Sequence, residues 1–582
     1  MTSGVVLVFG DDTRSFLAIA RALGRHGVRV HAAPTNMRSP ALRCRYIAAI
    51  HDLPPWMGDG SEWETAVRAL LRAVTFDLVI PCNETALLPM HRHRTQLSSL
   101  ARLALPDERA MEILFDKHET RILASRLGVP IARGRLIRQD DTAAEITAEL
   151  GLPIIVKPRR SYTLAGLPTR EKVRTAENVN QLQKLLSGRN GEEMLVEQFF
   201  PGRGLGLSLL ADRGRLLQVF QHNRVREDAT GSYYRVSGSP CPALVSACQA
   251  IIASLNYTGL AMFEFRRSAE GKWVLLEVNA RPWGSMALPL ALGVDFPYRW
   301  FRLLVAGEES PPVDYREGVF GRNFALDLGA TVSEFRSERR GPWNAASFTI
   351  HRALELLRPL TGREVHDVLV RDDIGPAVRE LRDLVLRGLR RIGGRGPLVR
   401  AWARARVRSA CRRPGQLRLL FVCHGNICRS PFAAALARRR FGEAGPIVES
   451  AGTLSRPGRP TPATGIRAAL TQGIDLAAHR SAWLTREDAE AASLLIVFDE
   501  INRAAVFDRY PDLRAPVICL GDLTGEGAIA DPIGGDLADF ERAYARIAAG
   551  IDELSRLLFD HHRDEAATLP ENDGGIPCSS PF

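Results

Sequence analysis

The chain has 582 residues, of which 45% are hydrophobic and 25% charged, with a formal net charge of +11. At roughly 150 residues per domain, that length calls for three or four units, and the composition excludes collagen-like and disordered classes. The positive charge could suit nucleic acid or an anionic membrane, but no nucleic-acid recognition module accompanies it, so nucleic acid is not an expected partner. Nine cysteines are scattered without CxxC pairs, which argues against a zinc site or a secreted disulfide framework and for reduced thiols in a cytoplasm. The opening MTSGVVLVFGDD has only a short apolar run before two aspartates, too short for a signal peptide, and no stretch is long and apolar enough to span a membrane. A cytoplasmic protein is expected.

In chain order, residues 1–105 read as an α/β unit. VVLVFG, VRVHAA and FDLVIP are buried strands, and SFLAIARALGRHG is a helix ending on Gly27. Residues 106–330 mix helices with strands such as LPIIVKP, EMLVEQF, RLLQVFQ, GLAMFEF and WVLLEVN, several paired as hairpins, which predicts α+β. Residues 331–415 read as a linker. Its run from Val378 to Gly415 holds twelve arginines and two acids, the pattern of basic amphipathic helices broken at Gly393, Gly394 and Pro397. Contact with an anionic surface or partner is one reading; a connector packing its leucines on a neighbouring domain is the other. Residues 416–560 form a second α/β domain, from the strand LRLLFVC to a final helix starting at Asp536. Its apolar residues Leu537, Phe540, Tyr544, Ile547, Ile551, Leu554 and Leu558 step by three and four. Residues 561–582 are polar, with Gly and Pro, and read as a disordered tail.

The run Cys423-His-Gly-Asn-Ile-Cys-Arg-Ser-Pro lies between a strand and a helix. A loop in that position can curl its N–H groups into an anion nest at a helix N-terminus. Cys423 would sit at the floor, where positive potential favours a thiolate. Arg429 can close over the nest and bind two phosphate oxygens as a fork. Gly425 permits close backbone approach and Asn426 tolerates a left-handed turn. The whole run resembles the signature of low-molecular-weight protein tyrosine phosphatases, and SAGT (450–453) and the DPIGGD run from Asp531 agree in position. The resemblance implies that Cys423 attacks phosphorus to form a cysteinyl-phosphate. Asp531 protonates the leaving oxygen and then serves as base for the hydrolytic water, Ser430 hydrogen-bonds the sulfur, and Asn426 braces the loop. No cofactor is implied there. Cys428 is open to two readings, a reversible disulfide with Cys423 or simple packing. Ile533 and Gly534 replace the aromatic residues that many tyrosine-directed members carry. DPxGG resembles shorter bacterial members, some of them directed to phosphoarginine, but Ile427 stands where those have threonine. Phosphotyrosine in a protein, or another phosphomonoester, is the favoured substrate, with phosphoarginine as the alternative.

In the front half, GLAMFEF and WVLLEVNARPWGS present Glu264 and Glu277 toward one point, with Asn279 on the face of Glu277 by period-two alternation. Two carboxylates and an amide oxygen suit a hard cation, magnesium or manganese, bridging ATP phosphates. Arg281, on the same face, can stabilise charge on a transferring phosphoryl group. This half resembles ATP-grasp carboxylate–amine ligases of the carbamoyl-phosphate-synthase-like group. The resemblance extends to Lys117 and Lys157 as phosphate contacts and to Glu197 and the backbone near Phe200 as the adenine hinge. It implies ATP-driven formation of an acyl phosphate from a small-molecule carboxylate, followed by attack of an amine. Arg224, Arg226 and Arg235 are read as carboxylate ligands or as a solvated basic strand. The PGRGLGLS run does not form a strand–GxGxxG–helix unit and is no dinucleotide fingerprint.

The expected fold class is therefore multidomain α/β and α+β. It comprises a pre-ATP-grasp α/β domain, an ATP-grasp fold, a helical basic linker, and a phosphatase α/β domain built on a four-stranded parallel sheet. The expected function is bifunctional, ligase plus phosphatase. Because the loop after Lys157, RRSYTLAGLPTR, holds one glycine where the ATP-grasp loop is usually glycine-rich, a phosphatase with a non-catalytic ATP-binding sensor or scaffold half is the alternative.

Overall fold

The computed structural model describes residues 4–164, 167, 173–187, 193–228, 231–337, 352, 355, 358–393, 397–412, 415–443, 445–454, 457–510 and 513–566. The chain divides into two compact units, Met1–Asp383 and Leu384–Phe582.

The first unit opens with a four-stranded parallel sheet built from β1 (Val5–Phe9), β2 (Arg29–Ala33), β3 (Ile47–Ile50) and β4 (Leu78–Pro81), in the order β3-β2-β1-β4. The near-continuous apolar runs of β1 and β4 are those of strands covered on both faces. The order reverses between β1 and β4, so the loops after these two strands flank a topological switch point, where open α/β sheets bind ligands. The loop after β4 feeds the helix Glu84–Arg92, capped by Asn83, whose side chain accepts from the Ala86 N–H at 3.1 Å.

A small antiparallel sheet follows, made of β5 (Gly134–Leu136), β6 (Ile154–Pro158), β7 (Arg174–Ala176) and β8 (Met194–Gln198), in the order β5-β8-β6-β7. The main sheet is seven-stranded. Its strands are β9 (Arg203–Asp212), β10 (Arg215–Asp228), β11 (Gly231–Gly238), β12 (Gly259–Arg267), β13 (Trp273–Asn279), β14 (Phe320–Arg322) and β15 (Glu364–His366), ordered β13-β12-β9-β10-β11-β14-β15.

Strand β15 alters the expected domain division. Residues 358–383, read above as part of a 331–415 linker, belong to the first unit. Asp367 forms an ion pair with Arg235 in which neither side chain is exposed, and Asp373 takes the buried Arg21 guanidinium at 2.8 Å. A three-residue strand carrying Glu and His has no apolar alternation to betray it; its place is set by charge pairing inside the fold. The break at Gly393 and Pro397 does separate two helices, Gly375–Gly393 and Pro397–Cys411. The second packs Ala403, Val407 and Ala410 into the core of the second unit.

That second unit carries a four-stranded parallel sheet of β16 (Arg418–Cys423), β17 (Ile447–Gly452), β18 (Leu494–Val497) and β19 (Val517–Cys519), in the order β17-β16-β18-β19. The chain crosses from one side of β16 to the other, so the loop after β16 lies at the switch point. The closing helix, Leu537–Ala566, begins with a reciprocal cap: Asp539 N–H donates to Asp536 Oδ1 and Asp536 N–H to Asp539 Oδ2, both at 3.0 Å. Phe540, Tyr544, Ile547, Ile551, Leu554 and Leu558 are buried along one face, as their spacing predicts. This helix carries the chain past residue 561; the rest of the expected tail, 567–582, lies outside the described residues.

Candidate active sites

In the second unit, β16 delivers Cys423 to the carboxyl end of the sheet, and the loop His424–Cys428 turns into the helix Arg429–Phe441. The Cys423 sulfur is ringed by donors. Asn426 N–H points at Sγ from 3.2 Å, and Ser430 Oγ lies 3.0 Å away. Asn426 itself is fully buried in the left-handed region, with φ of 50°, a conformation asparagine tolerates better than most side chains. Its amide is fully used. Nδ2 donates to Ser430 Oγ at 2.9 Å and to Ser450 Oγ at 3.0 Å, while Oδ1 accepts from Ala482 N–H at 2.7 Å. His479 Nε2 lies 2.7 Å from the Asn426 carbonyl; a carbonyl only accepts, so the imidazole carries its proton on Nε2. Burial holds the His479 ring below its ordinary pKa. The SAGT run finds its physical reason here. A methyl group at Gly452 would meet Asn426 N, Gly425 C and His424 O, each at 3.0 Å, so only glycine lets the second strand back the loop this closely.

Arg429 is buried. Its Nη1 donates to Asp499 Oδ2 at 2.5 Å and to the Ile529 carbonyl at 2.9 Å, and Nη2 donates to Asp531 Oδ2 at 2.7 Å. The structure therefore brings together the five residues given catalytic roles from sequence in this domain: Cys423, Asn426, Arg429, Ser430 and Asp531. It adds three that sequence reasoning missed. Asp499 caps the helix Glu500–Arg509 while holding Arg429. Arg459 Nη2 donates to the Gly425 carbonyl at 2.8 Å, and His479 pins Asn426. Asp499 follows the strand LLIV (β18) by two residues at the carboxyl end of the sheet, which is the signal that could have exposed it. Cys428 is buried in the core, where desolvation pushes its thiol well above the ordinary range.

Residues 418–564 match the family described as "Low molecular weight phosphotyrosine protein phosphatase". The chain is 36% identical over 134 residues to the Ralstonia nicotianae protein named "Probable low molecular weight protein-tyrosine-phosphatase EpsP", a stretch that covers 23% of this chain and 90% of that one. The chain belongs to the low molecular weight phosphotyrosine protein phosphatase family. It is also 32% identical over 143 residues to the "Protein-arginine-phosphatase" of Geobacillus stearothermophilus, covering 24% of this chain and 95% of that relative.

This phosphatase carries a second candidate site in its first unit. Glu264 on β12 faces Glu277 on β13 as a direct cross-strand pair, and Asn279 Nδ2 donates to Glu264 Oε1 at 3.1 Å. Arg281 Nη2 reaches Asn279 Oδ1 at 3.2 Å and Glu84 Oε1 at 2.8 Å. Lys117 starts the helix Lys117–Arg126, which Asp116 caps, and its Nζ donates to Ser161 Oγ at 2.6 Å and lies 3.9 Å from Glu277. Glu277 and Asn279 divide two adjoining clefts. One, of about 180 Å³, is lined by Lys117, Ser161 and Tyr162; the other, of about 240 Å³, by Asp12, Glu84, His222, Arg224 and Arg281.

Glu197, expected at the adenine hinge, is ion-paired here: its Oε2 sits 2.6 Å from Lys157 Nζ and its Oε1 accepts from Arg121 at 2.7 Å. Phe200 lines neither cleft. Of the three arginines offered as carboxylate ligands, only Arg224 reaches a cleft. Arg226 is held by Asp327 and Glu355, and Arg235 by Asp367. Glu84 was missed, although it opens a helix directly after a parallel strand at the switch point.

The glycines of β9 find their use in this cleft. Gly206 pairs with both His222 on β10 and Glu264 on β12, and the His222 ring lies over it in space a side chain at 206 would fill. A methyl group at Gly204 would come within 2.7 Å of Arg224 Cδ. Burial, with Arg235 and Arg224 nearby, drives the His222 pKa well below its ordinary value, so the ring is neutral.

Oxygen donors on adjacent strands fit a hard cation. Glu264 meets that need in part, since it is ion-paired with Arg224, which must yield one oxygen. Among the described residues no cluster of three His, Cys, Asp or Glu side chains is placed to hold a metal, so Asn279 and ATP phosphate oxygens would complete the shell. Residues 190–322 match the family described as "ATP-grasp in the biosynthetic pathway with Ter operon". The chain is 35% identical over 188 residues to the "D-alanine--D-alanine ligase" of Gluconobacter oxydans, covering 30% of this chain and 60% of that relative. The N-terminal half thus carries an ATP-grasp domain.

Proposed function

We propose that the second unit hydrolyses phosphotyrosine in proteins through a cysteinyl-phosphate. The observation that carries this reading is the sulfur of Cys423 held between the Asn426 N–H and Ser430 Oγ, beneath a buried Arg429. A phosphate dianion entering the loop takes the Arg429 fork, and the Cys423 thiolate attacks phosphorus as the bond to the leaving oxygen breaks. Asp531, at the exposed side of Arg429, hands its proton to that oxygen and recovers one from the water that later cleaves the S–P bond. Ser430 and the Asn426 N–H take up negative charge on sulfur when it leaves. Ile427 at the position where a threonine marks the arginine-directed members favours tyrosine over phosphoarginine. Para-nitrophenyl phosphate, phosphotyrosine and phosphoarginine peptides test the reading. The parent should cleave the first two and Cys423→Ser none; phosphoarginine turnover exceeding phosphotyrosine turnover would reverse the substrate assignment.

For the first unit we infer an ATP-dependent carboxylate–amine ligase acting through an acyl phosphate. Its support is the convergence of Lys117, Glu264, Glu277, Asn279 and Arg281 on two adjoining clefts. Lys117 and Arg281 would bind phosphate oxygens; Lys157, expected to join them, is paired with Glu197 and lines neither cleft. Glu264, Glu277 and Asn279 would hold magnesium, which when bound offsets charge on the transferring phosphoryl group. The carboxylate and the amine would meet in the cleft of Glu84, His222 and Arg224. ADP release with a panel of carboxylates and amines, with Glu277→Gln as control, tests this. Because Glu264 is committed to Arg224, binding of ATP without carboxylate-dependent ADP release would favour the sensor reading instead.

A further inference from the structure

The helix Pro397–Cys411 of the second unit has a basic outer face that the catalytic machinery does not use. Its inner face packs Ala403, Val407 and Ala410 into the core of that unit, and its sequence carries four arginines and no acid. Among the described residues the only carboxylate in ion-pair range of the helix is Glu553, which holds Arg404 at 2.7 Å. Arg400, Arg406 and Arg408 are exposed without one, as is Arg412 in the turn that follows. Soluble surfaces usually intersperse the two signs of charge; a face of one sign attracts the opposite one.

Two contacts tie this face to the elements that hold the phosphatase residues. Arg400 Nη2 donates to the Thr524 carbonyl at 2.7 Å, where the segment leading to Asp531 begins. Trp402, 39% exposed, has the guanidiniums of Arg406 and Arg503 over its ring, 4.8 and 5.2 Å from the ring centre. Arg503, itself paired with Glu500 at 3.4 Å, sits one turn along the helix Glu500–Arg509 from Asp499, which caps that helix and holds Arg429. The basic face therefore borders the phosphatase site, on the path of a polypeptide whose phosphotyrosine occupies it.

Chemistry selects the occupant. Between the arginines the helix exposes Ala401, Ala405 and Ser409, which are too short to insert at an acyl boundary, and the Trp402 ring is already engaged by two guanidiniums. A bilayer thus gains no inserted side chain, and a single-stranded nucleic acid gains no open ring on which to stack its bases. What the face offers is guanidinium forks, which match carboxylates. Resting on the reading of the second unit as a phosphotyrosine protein phosphatase, we propose that Arg400, Arg406, Arg408 and Arg412 form a docking surface for an acidic stretch of the substrate protein. Docking raises the effective concentration of the phosphotyrosine at Cys423.

Phosphotyrosine peptides joined through a Gly/Ser linker to a run of glutamates, glutamines or lysines test this on the full chain. The parent should show kcat/KM about tenfold higher on the glutamate peptide than on the glutamine peptide, carried by KM, and the gap should narrow as salt is raised. Arg406→Glu/Arg408→Glu reverses charge at two exposed positions. It should lose the glutamate preference and favour the lysine peptide, while para-nitrophenyl phosphate turnover and thermal unfolding stay close to the parent's. Fluorescence anisotropy of a labelled, unphosphorylated glutamate run reads docking apart from catalysis; the parent should bind it about tenfold more tightly than the variant. Failure of the phosphatase reading would show as no turnover of the glutamine peptide, and the anisotropy would still decide the docking. Equal kcat/KM on the three peptides, a variant that keeps the parent's preference or affinity, or tighter binding of duplex DNA or anionic vesicles than of the glutamate run would overturn the proposal.

Discussion

Arg429 Nη2 donates to Asp531 Oδ2 at 2.7 Å, so the phosphate clamp and the proposed proton donor of the phosphatase site touch each other directly. Asp499 holds the other terminal nitrogen. When phosphate oxygens take the fork, Asp531 is the partner placed to swing toward the leaving group, because its side chain is the more exposed of the two acids, at 34% against 17%.

Asp531→Asn keeps an oxygen for Arg429 but has no proton to give. Loss of a general acid typically costs about 10²- to 10⁴-fold when the leaving group is poor. Tyrosine phosphate should lose kcat on that scale and para-nitrophenyl phosphate, with its better leaving group, much less. Equal losses on both substrates would remove Asp531 from proton transfer.

The packing of His222 over Gly206 gives a second test. Gly206→Ala drives a methyl group into the His222 ring, an overpacking expected to cost about 1–3 kcal/mol. Removing the ring as well, in Gly206→Ala/His222→Ala, should return part of that stability because the two sites are coupled. Urea unfolding of the four proteins of the cycle measures the coupling; simple additivity would mean the ring is free to move aside.

Arg235 and Asp367 are both wholly buried, and they join β11 to the segment following β15. Asp367→Ala strands a guanidinium without a counter-charge, for which about 3–5 kcal/mol is expected. Replacing both partners with aliphatic residues should recover much of that loss. Truncation of the chain at residue 330 should destabilise the first unit for the same reason, and chemical denaturation of each variant reads it directly.

How much of this was legible in the sequence follows from where the partners lie along the chain. The phosphatase loop was readable because nucleophile, clamp, Asn426 and Ser430 fall within one run between a strand and a helix, and Asp531 comes with its own DP turn. Arg459 and His479 were not, since each reaches the loop from a separate segment and nothing local distinguishes it from a surface charge; Asp499 was missed although its place just after β18 was a usable signal. In the ATP-grasp half the strand alternation put Glu277, Asn279 and Arg281 on one face, and the register sets Glu264, named with them from the sequence, opposite Glu277. The pairing of Glu197 with Lys157 and Arg121 was not legible, because it is set by sheet packing and not by spacing. The strand at 364–366 was invisible because it is short and polar, and only the buried arginines it neutralises explain its position.

Asp522, in the short helix Leu520–Thr524 of the phosphatase unit, offers a pH test free of the chemistry. Burial raises its pKa from the ordinary 3.8 to about 6, against the opposing pull of Arg503 and with help from Glu500. The folded form thus keeps a proton that the unfolded chain has already lost between those values. Stability from this group is therefore fully present below about pH 4 and is lost as pH rises through about 6. The shift corresponds to a loss of up to about 3 kcal/mol. Asp522→Asn, which cannot ionise, should unfold like the parent near pH 4 and be more stable than it at pH 8. Thermal unfolding of the phosphatase transition across that range decides the matter, and parallel pH profiles for parent and variant would show that the carboxyl is solvated in the folded protein.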